Sequence, residues 1–66
     1  SQLTELMIQY GNRFRSTDSD LNAHLNEAER LFKENRYKRA LDVAKDAVES
    51  VEPGSAAKIE KQFDNN

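Results

Sequence analysis

The side chains best placed for chemistry in this sequence would act by hydrogen bonding, not by making or breaking bonds. Gln9, Asn12 and Arg13 fall at i, i+3 and i+4 of an apolar-periodic segment, a spacing that sets three side chains together on one helix face. Amide and guanidinium groups are rich in donors and suit recognition of backbone or carboxylate groups, whereas Lys and Glu usually cover a solvated helix. Gly11, in the same turn, costs about 1 kcal/mol relative to alanine inside a helix and leaves a gap between Tyr10 and Asn12 where a partner could come close. Two readings stand side by side: a recognition face, or a helix that ends early at Gly11 and leaves the polar trio solvated.

Catalysis has little to draw on. His24 is the only histidine and lies between Leu21 and Leu25, with no serine or cysteine nucleophile at a recognisable spacing. The carboxylates Glu27 with Glu29, and Asp42 with Asp46 and Glu49, fall among solvent-facing helical positions and suit ion pairs such as Asp42 with Lys45. They follow no EF-hand or zinc spacing, and two glycines cannot build a phosphate-cradling loop. The expectation is no enzyme, no cofactor and no metal. Arg30, Lys33, Arg36, Lys38 and Arg39 hold half of the ten positive residues in one short stretch, offset there only by Glu34. Such a patch would meet an acidic partner segment or anionic lipid, although exposed turns are commonly charged in any case.

The elements that must carry these residues are all helical. Leu3, Met7, Tyr10 and Phe14 repeat at 4-3-4, the spacing of one helix face, and predict a helix over about residues 3–15. Leu21, Leu25, Ala28 and Phe32 repeat in the same way behind a possible Asp18 or Asp20 cap and predict a second helix over about residues 19–33. Asn35 is suited to the left-handed conformation that closes a helix without glycine. Tyr37, Ala40, Leu41, Ala44, Ala47, Val48 and Val51 then predict a third helix over about residues 36–51, forced antiparallel to the second by the short connection. Pro53 and Gly54 stop it, and Ser55 is suited to cap a fourth helix over about residues 56–63 before residues 64–66 fray. The reading is an all-α bundle of three to four helices around an antiparallel hairpin, with alanines at 40, 44 and 47 admitting a close neighbour. Turns are too frequent for one continuous coiled coil.

Composition narrows the partners. A net charge of −2 argues against nucleic acid, which needs a basic excess on at least one face. No apolar run reaches the 18 or so residues of a membrane span, so direct membrane insertion by this stretch is not expected. The 24 apolar residues include seven alanines, a small core for a chain without cysteine, and this favours either a piece of a longer protein or self-association. Ser1 in place of a start methionine agrees with the first.

The residues also carry a resemblance. Ile8-Gln9-Tyr10-Gly11-Asn12-Arg13-Phe14-Arg15, then Glu27-Ala28-Glu29-Arg30-Leu31-Phe32, Tyr37-Lys38-Arg39-Ala40-Leu41 and Val51-Glu52-Pro53-Gly54, resemble the C-terminal region of the EzrA family, the septation ring formation regulators of low-GC Gram-positive bacteria. The likeness runs from Leu3 to about Glu60, and the octapeptide is specific in combination with Glu-Pro-Gly. It implies a parent built of spectrin-like helical repeats on the cytoplasmic side of the cell membrane, anchored by an N-terminal helix. It further implies binding to FtsZ or another division or cell-wall protein, restraint of Z-ring assembly and localisation at the division septum. The family's Gln, Asn and Arg patch, linked to midcell recruitment, maps by motif onto Gln9, Asn12 and Arg13, with Tyr10, Gly11, Phe14 and Arg15 in the same stretch.

The hairpin is also similar to a single tetratricopeptide repeat in Ala28, Leu31, Tyr37, Ala40, Ala44, Ala47 and Pro53, with Asn35 where glycine is usual. One such unit does not make a solenoid, which buries each repeat on its neighbours. A lone peptide-binding repeat, or a capping or self-association module of a helical rod, is the alternative to the division-protein reading.

Overall fold

A computed structural model describes residues 1–65; of residues 64–66, expected to fray, Asp64 is instead the last residue of the final helix, Asn65 caps it with its N–H on the Lys61 carbonyl, and Asn66 lies outside the described residues. Four helices follow in order, α1 (Gln2–Asn12), α2 (Ser19–Lys33), α3 (Tyr37–Val51) and α4 (Ser55–Asp64), and no strand occurs among the described residues. The Asp18 carboxylate starts α2 by accepting from the Leu21 N–H at 3.0 Å. At the other end Asn35 adopts φ 65°, with the Arg36 N–H on the Leu31 carbonyl (2.9 Å) and the Asn35 N–H on the Phe32 carbonyl (3.0 Å). That pair of bonds is a Schellman closure, which satisfies the last carbonyls of α2 and reverses the chain directly into α3. Tyr37 adds to the turn by donating its hydroxyl to Asn35 Oδ1 at 2.7 Å and by meeting the Phe32 ring edge-on.

The hairpin of α2 on α3 is the most extensive contact, and α1 lies mainly across α3. Alanine explains why. Ala40, Ala44 and Ala47 are fully buried and let neighbouring helices come close: Met7 of α1, 0% exposed, packs at Ala44 among Ala28, Val48, Ala56 and Ile59. A second cluster, Leu21, Leu25 and Ala47 with Ile8, Phe14 and Val51 against it, closes the opposite end of α1.

Two further details depart from expectation. α1 stops at Asn12, three residues before the expected end, and residues 13–17 tighten into turns closed by Phe14 N–H to Gly11 O (3.0 Å), Arg15 N–H to Asn12 O (3.3 Å) and Thr17 N–H to Phe14 O (3.2 Å). Helix ends commonly tighten in this way, and here the low helix propensity of Gly11 coincides with the point at which Arg15 is drawn toward α2. Ser55 does not cap α4. It lies inside the helix, 1% exposed, behind a glycine cap at Gly54 (φ 91°) that has no side chain to offer. The acceptor comes from α3 instead: the two oxygens of Glu49 receive the N–H groups of Gly54 (3.1 Å) and Ala56 (2.8 Å). Those bonds hold the Glu49 carboxyl below the ordinary range, Ala56 contributing more than Gly54.

Candidate protein-binding surface

The stretch from Gln9 to Arg15 divides into residues held inside the molecule and residues left outside it. Tyr10 donates its hydroxyl to Glu52 across 42 positions of sequence, a bond that raises its pKa above the ordinary value. The octapeptide and the Glu-Pro-Gly turn therefore touch. Glu52 anchors Tyr10, while Pro53 and Gly54 turn the chain into α4. Gly11 is buried under α2, and a Cβ at that position would stand 2.8 Å from Leu25 Cδ1 and 3.2 Å from Cδ2. The close approach that glycine permits is thus made by Leu25 of this same chain. Phe14 packs against the Leu21, Leu25 and Ala47 cluster.

Arg15 is the most heavily bonded side chain of the stretch. It donates to Asn22 Oδ1 (2.8 Å), Asn12 Oδ1 (2.9 Å) and Asn26 Oδ1, and it pairs with Glu29 at 3.0 Å. The sequence reading does not single out Asn22, Asn26 and Glu29 as a group, although their 4-3 spacing on α2 is a signal that one face of that helix is polar.

Gln9, Asn12 and Arg13 are exposed. Gln9 makes no side-chain hydrogen bond among the described residues, and it stands on a crest between two shallow depressions. One, of about 380 Å³, runs between α1 and α4 and is lined by Leu6, Tyr10, Arg13, Ile59 and Phe63. The other runs between α1 and α2 beside Ile8 and Phe32. Arg13 lies over the Tyr10 ring, 4.4 Å from its centroid, and has no carboxylate within ion-pair distance among the described residues. Asn12 has its oxygen engaged by Arg15.

The remaining candidates lie elsewhere. The five cations do gather around the α2–α3 turn, but Arg30 is neutralised by Glu27 (2.8 Å) and Glu34 (2.7 Å), which raises its own pKa and lowers that of Glu27. Lys33, Arg36 and Arg39 are exposed with no ion pair among the described residues, and Lys38 stands 3.8 Å from Asp42. Asp42 therefore faces Lys38 and not Lys45, which reaches Glu60 of α4 at 3.4 Å. His24 Nδ1 is bound to its own helix at the Asp20 carbonyl, 2.8 Å away. No group of three or more possible metal ligands occurs among the described residues, and no helix there is long and apolar enough to cross a membrane.

Comparison with known proteins adds family context to this geometry. The family model described as "Septation ring formation regulator, EzrA" matches residues 1–63. Proteins named septation ring formation regulator EzrA from Staphylococcus aureus strains JH9, Newman and COL are each 59% identical over 58 residues, which is 88% of this chain. The same match spans 10% of the length of each relative. No solved structure matches significantly.

Proposed function

The chain belongs to the EzrA family of septation ring formation regulators, and on that premise we propose that it is the non-enzymatic interaction module through which a membrane-anchored regulator engages FtsZ at the division septum. In this reading the α1 crest of Gln9, Asn12 and Arg13 docks on the partner, and the parent protein restrains Z-ring assembly and is held at midcell through that contact. The remaining helices act as its support. One observation carries the proposal: within a single short stretch, Tyr10, Gly11, Phe14 and Arg15 are all packed or bonded against the rest of the molecule, while the donor-rich side chains of Gln9, Asn12 and Arg13, interspersed with them, stay exposed at the surface. Lys and Glu are the usual occupants of a solvated helix face, whereas this one presents two amides and a guanidinium, groups suited to recognising carboxylate or backbone groups.

The test is co-sedimentation with FtsZ polymers, comparing the chain with Gln9→Ala/Asn12→Ala/Arg13→Ala. Loss of binding by a variant that melts as the parent does supports the reading. Equal binding removes the crest from the FtsZ site.

A structural role has its own support, since Arg13 stacks on Tyr10 and Asn12 accepts from Arg15. If the trio serves mainly to hold the end of a helical rod or a self-associating unit, the triple variant loses well over the 0.5 kcal/mol or so that bounds ordinary surface substitutions.

A further inference from the structure

We infer that the recognition surface continues from α1 onto α2, where Arg15 fixes Asn12 and Asn26 with their amide N–H groups outward, and that this surface takes a carboxylate-bearing segment of a protein partner. The inference rests on the α1 docking reading above. It adds Asn26 to the surface, Arg15 as a positioning residue, and a chemical class for what is bound.

The argument begins with what a guanidinium can do. Arginine has five N–H donors and no acceptor, so any amide facing it must present its oxygen. Arg15 holds three such amides, with Nε on Asn22 Oδ1, Nη1 on Asn12 Oδ1 and Nη2 on Asn26 Oδ1. Their orientation is thereby set by chemistry, and each NH2 group must point away from the clamp. Asn22 is half-buried, but Asn12 and Asn26 are exposed, so two NH2 groups face solvent from adjacent helices. The one carboxylate in the cluster, Glu29, has both oxygens on Arg15, at 3.0 and 3.4 Å. It balances the charge of Arg15 and is not left over to repel an anion. Arg13, next to Asn12 in sequence but turned toward α4 over the Tyr10 ring, keeps its charge unpaired among the described residues.

The outward hydrogen-bonding capacity of this region is consequently weighted toward donors, and the unpaired charge of Arg13 lies further round the same end of α1, on its α4 side. Carboxylates match that pattern, since they accept several hydrogen bonds at once and form stronger ones with charged donors. The clamp also prepares the surface before contact. Arg15 is 22% exposed and tied to four side chains, so the asparagines do not have to be ordered at the moment of binding.

Aspartate is the informative substitution. In Asn12→Asp and Asn26→Asp a carboxylate oxygen still accepts from Arg15, while the outward NH2 donor becomes an acceptor bearing negative charge. Both variants should melt at or above the temperature of the parent chain and should bind FtsZ polymers about tenfold more weakly. A cluster that only ties α1 to α2 would leave binding unchanged in both. The Gln9→Ala/Asn12→Ala/Arg13→Ala variant, run alongside, separates the two levels of the proposal. If that variant binds like the parent chain, or the parent chain itself does not co-sediment, the docking reading fails and this inference fails with it. If the triple variant loses binding while both aspartate variants retain it, the crest stands and the donor surface across α2 is overturned.

Discussion

Replacing Gly11 with alanine tests how the α1 end is held. In an open helix the change would stabilise by about 1 kcal/mol through propensity alone. Here the new methyl would stand 2.8 Å from Leu25 Cδ1 and 3.2 Å from Cδ2. Carbon atoms prefer separations of about 3.5–4.0 Å, so Leu25 must give way by roughly 0.7 Å. Leu25 is 0% exposed and has Leu21 and Ala47 around it, with Ile8, Phe14 and Val51 against the same cluster, so its movement displaces packed neighbours. Overpacking of this kind costs about 1–3 kcal/mol, which leaves a net loss of about 1 kcal/mol after the propensity gain. For a domain of this size that lowers Tm by about 4–8 °C. The second half of the cycle fixes the cause. Leu25→Val removes both δ carbons, and in that background Gly11→Ala should become stabilising by about 1 kcal/mol, a coupling of about 2 kcal/mol. Urea denaturation followed by far-UV circular dichroism measures all four corners. Stabilisation by Gly11→Ala in the parent chain, or the same effect in both backgrounds, would refute the packing argument.

Three further outcomes follow from the turns and caps. Glu49 has its pKa depressed by the Ala56 and Gly54 N–H groups, so its contribution is fully present above the unfolded value, near 4.5, and fades as pH falls through the lower folded one. Acid titration by NMR should therefore perturb the Gly54 and Ala56 amides, and Glu49→Gln should abolish that response. The sign reverses for Tyr10, whose pKa is raised chiefly by its bond to Glu52: the contribution is complete below the unfolded value, 10.0, and is lost as pH rises through the folded one. Thermal melts above that pH should show the alkaline loss in the parent chain and not in Tyr10→Phe. At Asn35, with φ 65°, alanine should cost about 1 kcal/mol by urea denaturation, while glycine should be close to neutral because relief of backbone strain offsets the lost Tyr37 hydrogen bond.

What could be read along the chain and what could not divides by the range of the interaction. The 4-3-4 apolar spacing is local, and it places Met7, Leu21, Leu25, Ala28, Ala44 and Val48 in the core, where they are found. Asn35 was legible for the same reason, because a left-handed helix end has a short list of suitable residues. The contacts that define the α1 surface are long-range. Nothing near Gly11 announces that Leu25 covers it, and the Tyr10 to Glu52 bond joins two motifs whose meeting only the fold decides. The cap on α4 is an intermediate case. A glycine before a helix signals that its first N–H groups need an outside acceptor, but the choice of Glu49 depends on how α3 and α4 cross. The trio Gln9, Asn12 and Arg13 was visible as an unusual composition, whereas the engagement of Arg15 with α2 became visible only when the helices were assembled.

The central claim concerns which surface meets the partner, and the most direct measurement is an NMR titration of the isotopically labelled chain with unlabelled FtsZ. Both the backbone amides and the side-chain amides of Gln9, Asn12 and Asn26 should be followed. The account predicts shifts and line broadening concentrated on Gln9, Asn12 and Arg13 and continuing to Asn26, with the α2–α3 turn unaffected. Perturbations confined to Lys33, Arg36, Lys38 and Arg39, with the α1 crest silent, would contradict it.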